Sequence, residues 1–511
     1  MKLGRLLVVP ALCAALTGSA HAQSPAANLA AFDQFVAKAA RDWNVPGLAV
    51  SIVKNDSLVF AKGYGVIEIG KPAPANEHTR FAIGSTTKAM TSASLAMLVD
   101  EGKVHFDDHV TDYIPELKLA DPYIMRELTI RDLLTHRSGL PGTDLLWTRW
   151  HYSMPEMIRR MRYVKASESF RSTWQYNNIA YAMTGTIVER VSGMPWETFI
   201  RTRIFAPLGM NESIPLVSKL AGQPNVAVPH ARVGDSTRVT AIANTDDIAP
   251  AGSVWSSVSD MSKWMRFILD SGRVGTKRLI QPATFNELVA PEMRAPMEEY
   301  PALSVAMPNF FSYALGWFVQ DYAGETVWMH TGSINGMCAI IGLMPDRRMG
   351  VYVLENLDHA ELRHAIMYEA FDLYNGHKPR DWSAELLPLF TRAGRAGGGG
   401  GGRGGNARAA APGPSLALDR YVGTYVDSLN GTVVVTLVNG ALKAQIVNEP
   451  VIDLQPGDYE TFRAAAAPGV TARPGAGLTF VPDGSGAITG VRTSGVTFMR
   501  VNTGRGGRGP G

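Results

Sequence analysis

Apolar residues recur at helical spacing through "AANLAAFDQFVAKAARDWN" and stop at Pro46-Gly47, which predicts a helix closed by a breaker pair. The pattern then changes to alternation. "GLAVSIVKNDSLVFAKGYGVIE" predicts two strands turned at Asn55-Asp56. From about residue 84 to 270 helical spacing returns, clearest in "TSASLAMLVDEGK", "IAYAMTGTIVERVSG" and "SDMSKWMRFILDSG", each closed near a glycine. Strands resume in "SYALGWFVQDYAGETVWMHTGSINGMCAIIGLMPDRRMGVYVLEN", with turns at "DYAGE" and "MPDRRMG", and "HAELRHAIMYEAFDLYNG" reads as a closing helix. Terminal strands and helices that bracket a helical insertion predict an α+β fold: an antiparallel sheet flanked by helices, with an all-helical lobe beside it.

A glycine-rich stretch comes next. Residues 386–415, including "AGGGGGGRGGNARAAAPGPS", hold few side chains able to build a core and read as a flexible linker. The reach of its last 25 residues or so is about 27 Å, enough for independent motion of the unit beyond it. Residues 416–503 form a small all-β unit, a barrel or sandwich, with hairpin signals at Asn439-Gly440 and Asp483-Gly484. Residues 504–511, "GRGGRGPG", read as a disordered tail.

The length of 511 residues also favours more than one domain. Hydrophobic residues at 46% and charged residues at 19% describe a globular chain, and a net charge of +3 gives no footing for nucleic-acid binding. Residues 1–22 read as a signal peptide: Lys2 and Arg5, an apolar run from Leu6, then Ala20-His21-Ala22 before a start at Gln23. That run is too short for a membrane span. These features predict a periplasmic or secreted protein without an integral membrane segment once the signal is removed, its main domain covering 23–385. Cys338 is then the single remaining cysteine, in apolar surroundings, and reads as a buried inert thiol.

Two S-x-x-K spacings stand in the chain. Ser51 and Lys54 fall in an alternating strand, where positions three apart face opposite sides. Ser85 and Lys88, in "FAIGSTTKAM", open a helix, where such positions share a face and the lysine can reach the serine oxygen. The helix body is apolar nearly all round, so Lys88 is expected to be desolvated and its pKa lowered. By itself this pair reads equally well as an N-capping serine with a solvated lysine. No G-x-S-x-G, H-E-x-x-H or C-x-x-C occurs, and His105 and His109 read as loop residues rather than metal ligands. No metal and no organic cofactor is called for.

Two further segments extend the pair: Tyr176-Asn177-Asn178 ahead of a helix, and His330-Thr331-Gly332 on a strand. "GSTTK", "YNN" and "HTG" in this order, with "TIRDLLTHRSGLPG", "AGSVWSSVSDMSKW" and "YALGW", resemble the penicillin-recognising serine hydrolases. The similarity covers about residues 30–375 and is nearest to the class C β-lactamase-like branch that also holds esterases and D-aminopeptidases. The β unit is similar to the lipocalin-like barrel behind some of its members.

The resemblance implies a β-lactamase/transpeptidase-like fold and an acyl-enzyme on Ser85. Lys88 and Tyr176 would move its proton, with either as the first base. Asn178 would bind Lys88 and the substrate, and the N–H of Ser333 would join that of Ser85 in an oxyanion hole beside Gly332. Read as residues alone, Tyr176 and Asn178 also fit a plain helix-start turn, and His330 a solvated strand end. His330 replaces the lysine of the family's K-T-G, leaving only a conditional charge for a substrate carboxylate. Ester, amide or D-amino-acid peptide substrates are therefore expected ahead of β-lactamase or DD-peptidase action. A silent ligand-sensing or scaffold relative is the alternative of another class. The oligomeric state is left open.

Overall fold

The computed structural model describes residues 25–234, 236–376, 380–397, 413–464 and 477–501. The expected signal, tail and glycine-rich core of the linker lie outside the described residues.

Eight strands form one antiparallel sheet: β1 (Gly47–Lys54), β2 (Ser57–Gly65), β3 (Met293–Arg294), β4 (Phe311–Tyr313), β5 (Phe318–Tyr322), β6 (Glu325–Ile334), β7 (Met337–Met344) and β8 (Met349–Glu355). Their order across the sheet is β2-β1-β8-β7-β6-β5-β4-β3. The hairpin between β1 and β2 turns on Asn55 and Asp56, both at positive φ, as the sequence predicts. The three central strands are buried on both faces, and the period of two divides their side chains between two cores. Ala49, Ile341, Tyr352 and Leu354 join one apolar cluster; Leu48, Val50, Ile340 and Val353 join the other.

The helices that position the site are α1 (Pro25–Asp42), α2 (Lys88–Asp100), α3 (Leu145–Thr148), α4 (Asn178–Ser192), α5 (Val258–Leu269), α6 (Leu362–Asn375) and α7 (Trp382–Gly397). α1 and α6 pack together, with α6 against β7 and β8, while α5 lies against β1 and β8. α2 is the centre of the helical lobe, buried from Lys88 to Leu98. An apolar helix with no polar face must be surrounded by protein, and α4 lies beside it. α7 carries Trp382 and Leu386 into the core beside the sheet, so helix persists past position 386, where the linker was expected to begin. Its cause is the apolar spacing of Leu386, Leu387, Leu389 and Phe390. Among the described residues no helix is long and apolar enough to cross a membrane.

The C-terminal unit is a closed eight-stranded barrel: β9 (Gly423–Asp427), β10 (Gly431–Val438), β11 (Ala441–Ile446), β12 (Ile452–Pro456), β13 (Thr461–Ala464), β14 (Gly477–Pro482), β15 (Ile488–Thr493) and β16 (Val496–Arg500). Alternating Val433, Val435, Leu442, Ala444 and Phe480 point inward, and Asn439-Gly440 forms the expected hairpin between β10 and β11. The barrel is in contact with the helical lobe. Trp150 of the lobe is fully buried beneath the barrel, edge-on to Phe498 at 6.2 Å, and donates Nε1–H to Asn430 Oδ1 at 2.9 Å. The indole N–H and the carbonyl of this buried tryptophan find their partners in the barrel, and residues of both units join one apolar cluster.

Candidate active site

Gly84–Thr87 forms a tight 3₁₀ turn that leads into α2, so Ser85 stands just before the helix and Lys88 is its first residue. Gly84 has φ +53°, and a side chain there would come within 2.9 Å of the Ser333 nitrogen. Across from it, a Cβ on Gly332 would lie 2.0 Å from the Ile83 carbonyl oxygen and 3.1 Å from the Ser85 nitrogen. Both positions need glycine. Their contact sets the backbone of β6 against the Ser85 turn, with the Ser85 and Ser333 nitrogens on the two facing stretches.

Lys88 reaches three acceptors. Its Nζ donates to Ser85 Oγ at 3.1 Å, Asn178 Oδ1 at 2.8 Å and the Ala251 carbonyl at 2.9 Å. The ammonium position lies 4.7 Å from the Tyr176 ring centre and 5.3 Å from that of Tyr181. Burial lowers the Lys88 pKa to about 7, with Asp144 opposing the shift. The expectation of a desolvated lysine beside Ser85 is thus met in the geometry, and its solvated alternative is not. The Tyr176 phenol faces Ser85, but burial outweighs that contact and holds its pKa well above the ordinary value. Of the two groups, Lys88 is the one with an accessible neutral base form near pH 7.

Asn177 caps α4, its Oδ1 accepting from the Ala180 N–H at 2.9 Å, and this sets Asn178 in the first turn facing Lys88. The amide of Asn178 is oriented from the other side. Its Nδ2 faces the Asp144 carboxylate at 3.2 Å, which leaves Oδ1 for the lysine.

His330 is 1% exposed and so does not stand at a solvated strand end. Nδ1 lies 2.6 Å from the Thr331 carbonyl, an acceptor only, so Nδ1 carries the proton and Nε2 accepts from the Tyr313 hydroxyl at 2.9 Å. Burial, with Lys88 nearby, pushes the imidazole pKa down to about 3. Its neighbours are aromatic: Phe318 at 5.2 Å and Tyr176 at 6.5 Å between ring centres.

Ser333 is exposed on the cleft side of β6, and its hydroxyl accepts from Arg363 Nη1 at 3.0 Å. Beyond it opens a cleft of about 470 Å³, lined by Trp147, His151, Ile242, Ser333, Ile334 and Asp358 among others. A larger cavity of about 830 Å³, bounded by Tyr64 and Arg232, includes none of the site residues.

Three positions escaped the sequence reading. Arg363, buried in α6, donates to the Gly332 carbonyl at 2.6 Å and pairs with Glu361 at 2.8 Å, bracing β6 from behind. His136, at positive φ in "THRSG", lies under Tyr176 with ring centres 4.3 Å apart and accepts from the Asn177 N–H at 3.3 Å. Asp144 orients Asn178 as above; its signal was an acid beside a Pro-Gly-Thr turn and a short apolar helix. The other S-x-x-K is separated as expected: Ser51 is buried in β1, while Lys54 donates to the Arg347 carbonyl at 2.5 Å. Cys338 is buried, its thiol pushed up to about 12 by burial, and no metal-binding cluster occurs among the described residues.

A family model described as Beta-lactamase matches residues 32–373, and one described as Domain of unknown function (DUF3471) matches residues 407–502. The chain is 26% identical over 420 residues to the unguisins hydrolase ungD of Aspergillus violaceofuscus, spanning 77% of this chain and 74% of that protein. The octameric penicillin-binding protein homologue from Pyrococcus abyssi aligns with 92% of this chain and 100% of its own, at 22% identity and a TM-score of 0.62. A D-stereospecific amidohydrolase from Streptomyces sp. aligns with 68% of this chain and 99% of its own, at 21% identity and a TM-score of 0.55. At these identities the two structural likenesses speak to fold.

Proposed function

This chain belongs to the beta-lactamase family of serine hydrolases, and from that premise we propose that it is exported and cleaves ester or amide bonds, D-amino-acid peptides among them, through an acyl-enzyme on Ser85. The observation that carries the reading is the set of bonds around Lys88: one to Ser85 and two that fix its orientation. Neutral Lys88 takes the Ser85 proton as Oγ attacks the carbonyl carbon. The N–H groups of Ser85 and Ser333 stabilise the oxyanion. Collapse expels the alcohol or amine, which leaves with the proton that Lys88 held, Tyr176 lying on the path. Water then attacks the acyl-enzyme by the same route, releasing acid and restoring Ser85.

The buried neutral His330 bears on the substrate. A β-lactam or a cell-wall peptide presents a carboxylate that a strand lysine would pair, and this strand presents no cation. Uncharged esters and amides lose nothing by that exchange. The name of one relative, an unguisins hydrolase, supports hydrolysis, and that of a structural neighbour, a D-stereospecific amidohydrolase, supports amide chemistry. Export is supported by residues 1–22, with Ala20-His21-Ala22 as the cleavage site.

The test uses the protein recovered from an exporting host and its Ser85→Ala variant. Both are treated with a fluorophosphonate and assayed on a nitrophenyl ester, a D-alanyl anilide and a chromogenic cephalosporin. Labelling and turnover of the ester or anilide, lost in Ser85→Ala, support the reading. Turnover of the cephalosporin far above the other two would overturn the substrate ranking, and absence of labelling would leave a silent relative. Sequencing of the mature N-terminus should begin at Gln23.

A further inference from the structure

We propose that the C-terminal barrel is a positioning element of the active site: through Asn430 it fixes the Asp144–Tyr152 segment, and Asp144 at the near end of that segment orients Asn178 against Lys88. This rests on the reading of Lys88 as the base for Ser85.

On its own side the segment is held by one helical turn and by Leu146, which is buried in the core of the lobe. Its helical part, α3, is a single turn, too short to be stable alone. Its internal backbone bonds run from the Trp147 and Thr148 N–H groups to Asp144, from Arg149 and Trp150 to Leu145 and from Tyr152 to Leu146, at 2.8–3.2 Å. Other anchors come from the barrel. Trp150 Nε1–H and the Tyr152 hydroxyl both donate to Asn430, to Oδ1 at 2.9 Å and to the backbone carbonyl at 3.0 Å. Asn448 Nδ2 donates to the Trp150 carbonyl at 2.8 Å, and Arg149 pairs with Glu449 at 2.9 Å. The Asn430 amide cannot turn freely, because its Nδ2 donates to Asp427 at 2.8 Å and keeps Oδ1 toward the tryptophan. Two turns at one end of the barrel, β9–β10 and β11–β12, thus grip a segment of the lobe.

The other end of the segment reaches the chemistry. Trp147 Nε1–H donates to Asp144 Oδ1 at 2.9 Å, and that carboxylate faces Asn178 Nδ2. If Asp144 withdraws, nothing on its side selects which amide atom of Asn178 meets Lys88. Trp147 and His151 from the same segment also form a wall of the cleft beyond Ser333. One clamp therefore governs both the orientation around the base and the shape of the cleft.

The experiment compares the full chain with Asn430→Ala, Trp150→Phe and, as control, Lys443→Ala at an exposed barrel ion pair. Thermal unfolding confirms folding. Readouts are hydrogen exchange over residues 144–152, kcat/KM on acetyl and hexanoyl nitrophenyl esters, and the midpoint of the acid limb. Besides Asp144, the groups that face Lys88 are Tyr176, Tyr181, His136 and His330. Of these partners only Asp144 brings a negative charge, so its withdrawal moves the limb to lower pH. We expect faster exchange, about tenfold lower kcat/KM, a lowered acid midpoint and a changed hexanoyl-to-acetyl ratio in both clamp variants, with Lys443→Ala unchanged. A folded Asn430→Ala with wild-type midpoint and ratio overturns the inference. Should that variant unfold, Trp150→Phe, which keeps the ring and removes the donor, decides on the same readouts. Loss of Ser85-dependent labelling in the wild type would instead sink the hydrolase reading, while the exchange data would still report on the clamp.

Discussion

Lys88 Nζ and Asn178 Oδ1 stand 2.8 Å apart, and this bond ties together the first residues of two buried helices, α2 and α4. Each helix start is polar by necessity, since its N–H groups lack partners within the helix. The fold places both starts together, beside the turn that carries Ser85.

The first prediction concerns the protonation of Lys88. Its pKa falls from 10.5 to about 7 on burial. Turnover through the neutral amine should rise with pH, about tenfold per unit below that value, and level above it. Lys88→Met should lower kcat by on the order of 10²–10⁴ with the acid limb gone. The sign for stability is separate. Between about 7 and 10.5 the unfolded chain holds a proton that the folded chain lacks, so wild-type stability rises with pH there. Lys88→Met should lose that rise, read as Tm against pH.

Gly332→Ala tests the approach of β6 to the Ser85 turn. The new methyl would sit 2.0 Å from the Ile83 carbonyl oxygen, so the backbone must separate. The Ser85 and Ser333 nitrogens would then be moved apart. We expect kcat to fall by on the order of 10²–10³, with fluorophosphonate labelling slowed in step while KM changes little.

What the sequence disclosed was local. Ser85 with Lys88 is a short spacing read at a helix start, Tyr176 with Asn178 one read just ahead of a helix, and the sheet strands announce themselves by alternation and hairpin turns such as Asn55-Asp56. What it hid was brought together by packing. Asp144 meets Asn178 across 34 positions, Arg363 meets Ser333 across 30, and Trp150 meets Asn430 across 280. The burial of His330 was hidden for the same reason: Tyr313 and Phe318, which enclose it, stand on neighbouring strands whose register a single sequence does not state. The barrel's strands were readable, but its grip on the lobe rests on turn residues that look like ordinary loop.

His330→Lys should not convert the protein into a β-lactamase. A lysine at this position enters an aromatic pocket in which the polar partners of the histidine are the Thr331 carbonyl and the Tyr313 hydroxyl. Its charge would be desolvated and would also face Lys88, so the variant is expected to lose on the order of 3 kcal/mol of stability. Denaturant unfolding measures the loss, and the cephalosporin rate should stay at the wild-type level. A stable variant that gains cephalosporin turnover would show that the strand can present a cation after all.

Arg363→Met should act on stability and on the site together. The guanidinium is 2% exposed and donates to Gly332 and Ala339 carbonyls, to the Ser333 hydroxyl and to Glu361. Its removal strands buried acceptors and leaves the Glu361 carboxylate with only His364, whose Nδ1 is 2.8 Å away. A loss of about 3–5 kcal/mol at neutral pH is expected. The pH dependence fixes the cause. Burial would raise the Glu361 pKa, but Arg363 and His364 outweigh it and hold the carboxyl well below its usual range. A carboxylate depressed in the folded state contributes stability above its unfolded pKa and loses it as pH falls toward the folded value. Without Arg363 burial prevails, Glu361 rises, and that contribution vanishes. The Tm gap between wild type and variant should therefore be widest near pH 7 and narrow on acidification below the ordinary carboxylate range, with labelling of Ser85 slowed throughout because the Gly332 carbonyl has lost its brace. A gap that stays constant with pH would mean that packing of the arginine stem, not its charge, holds β6 against Ser85.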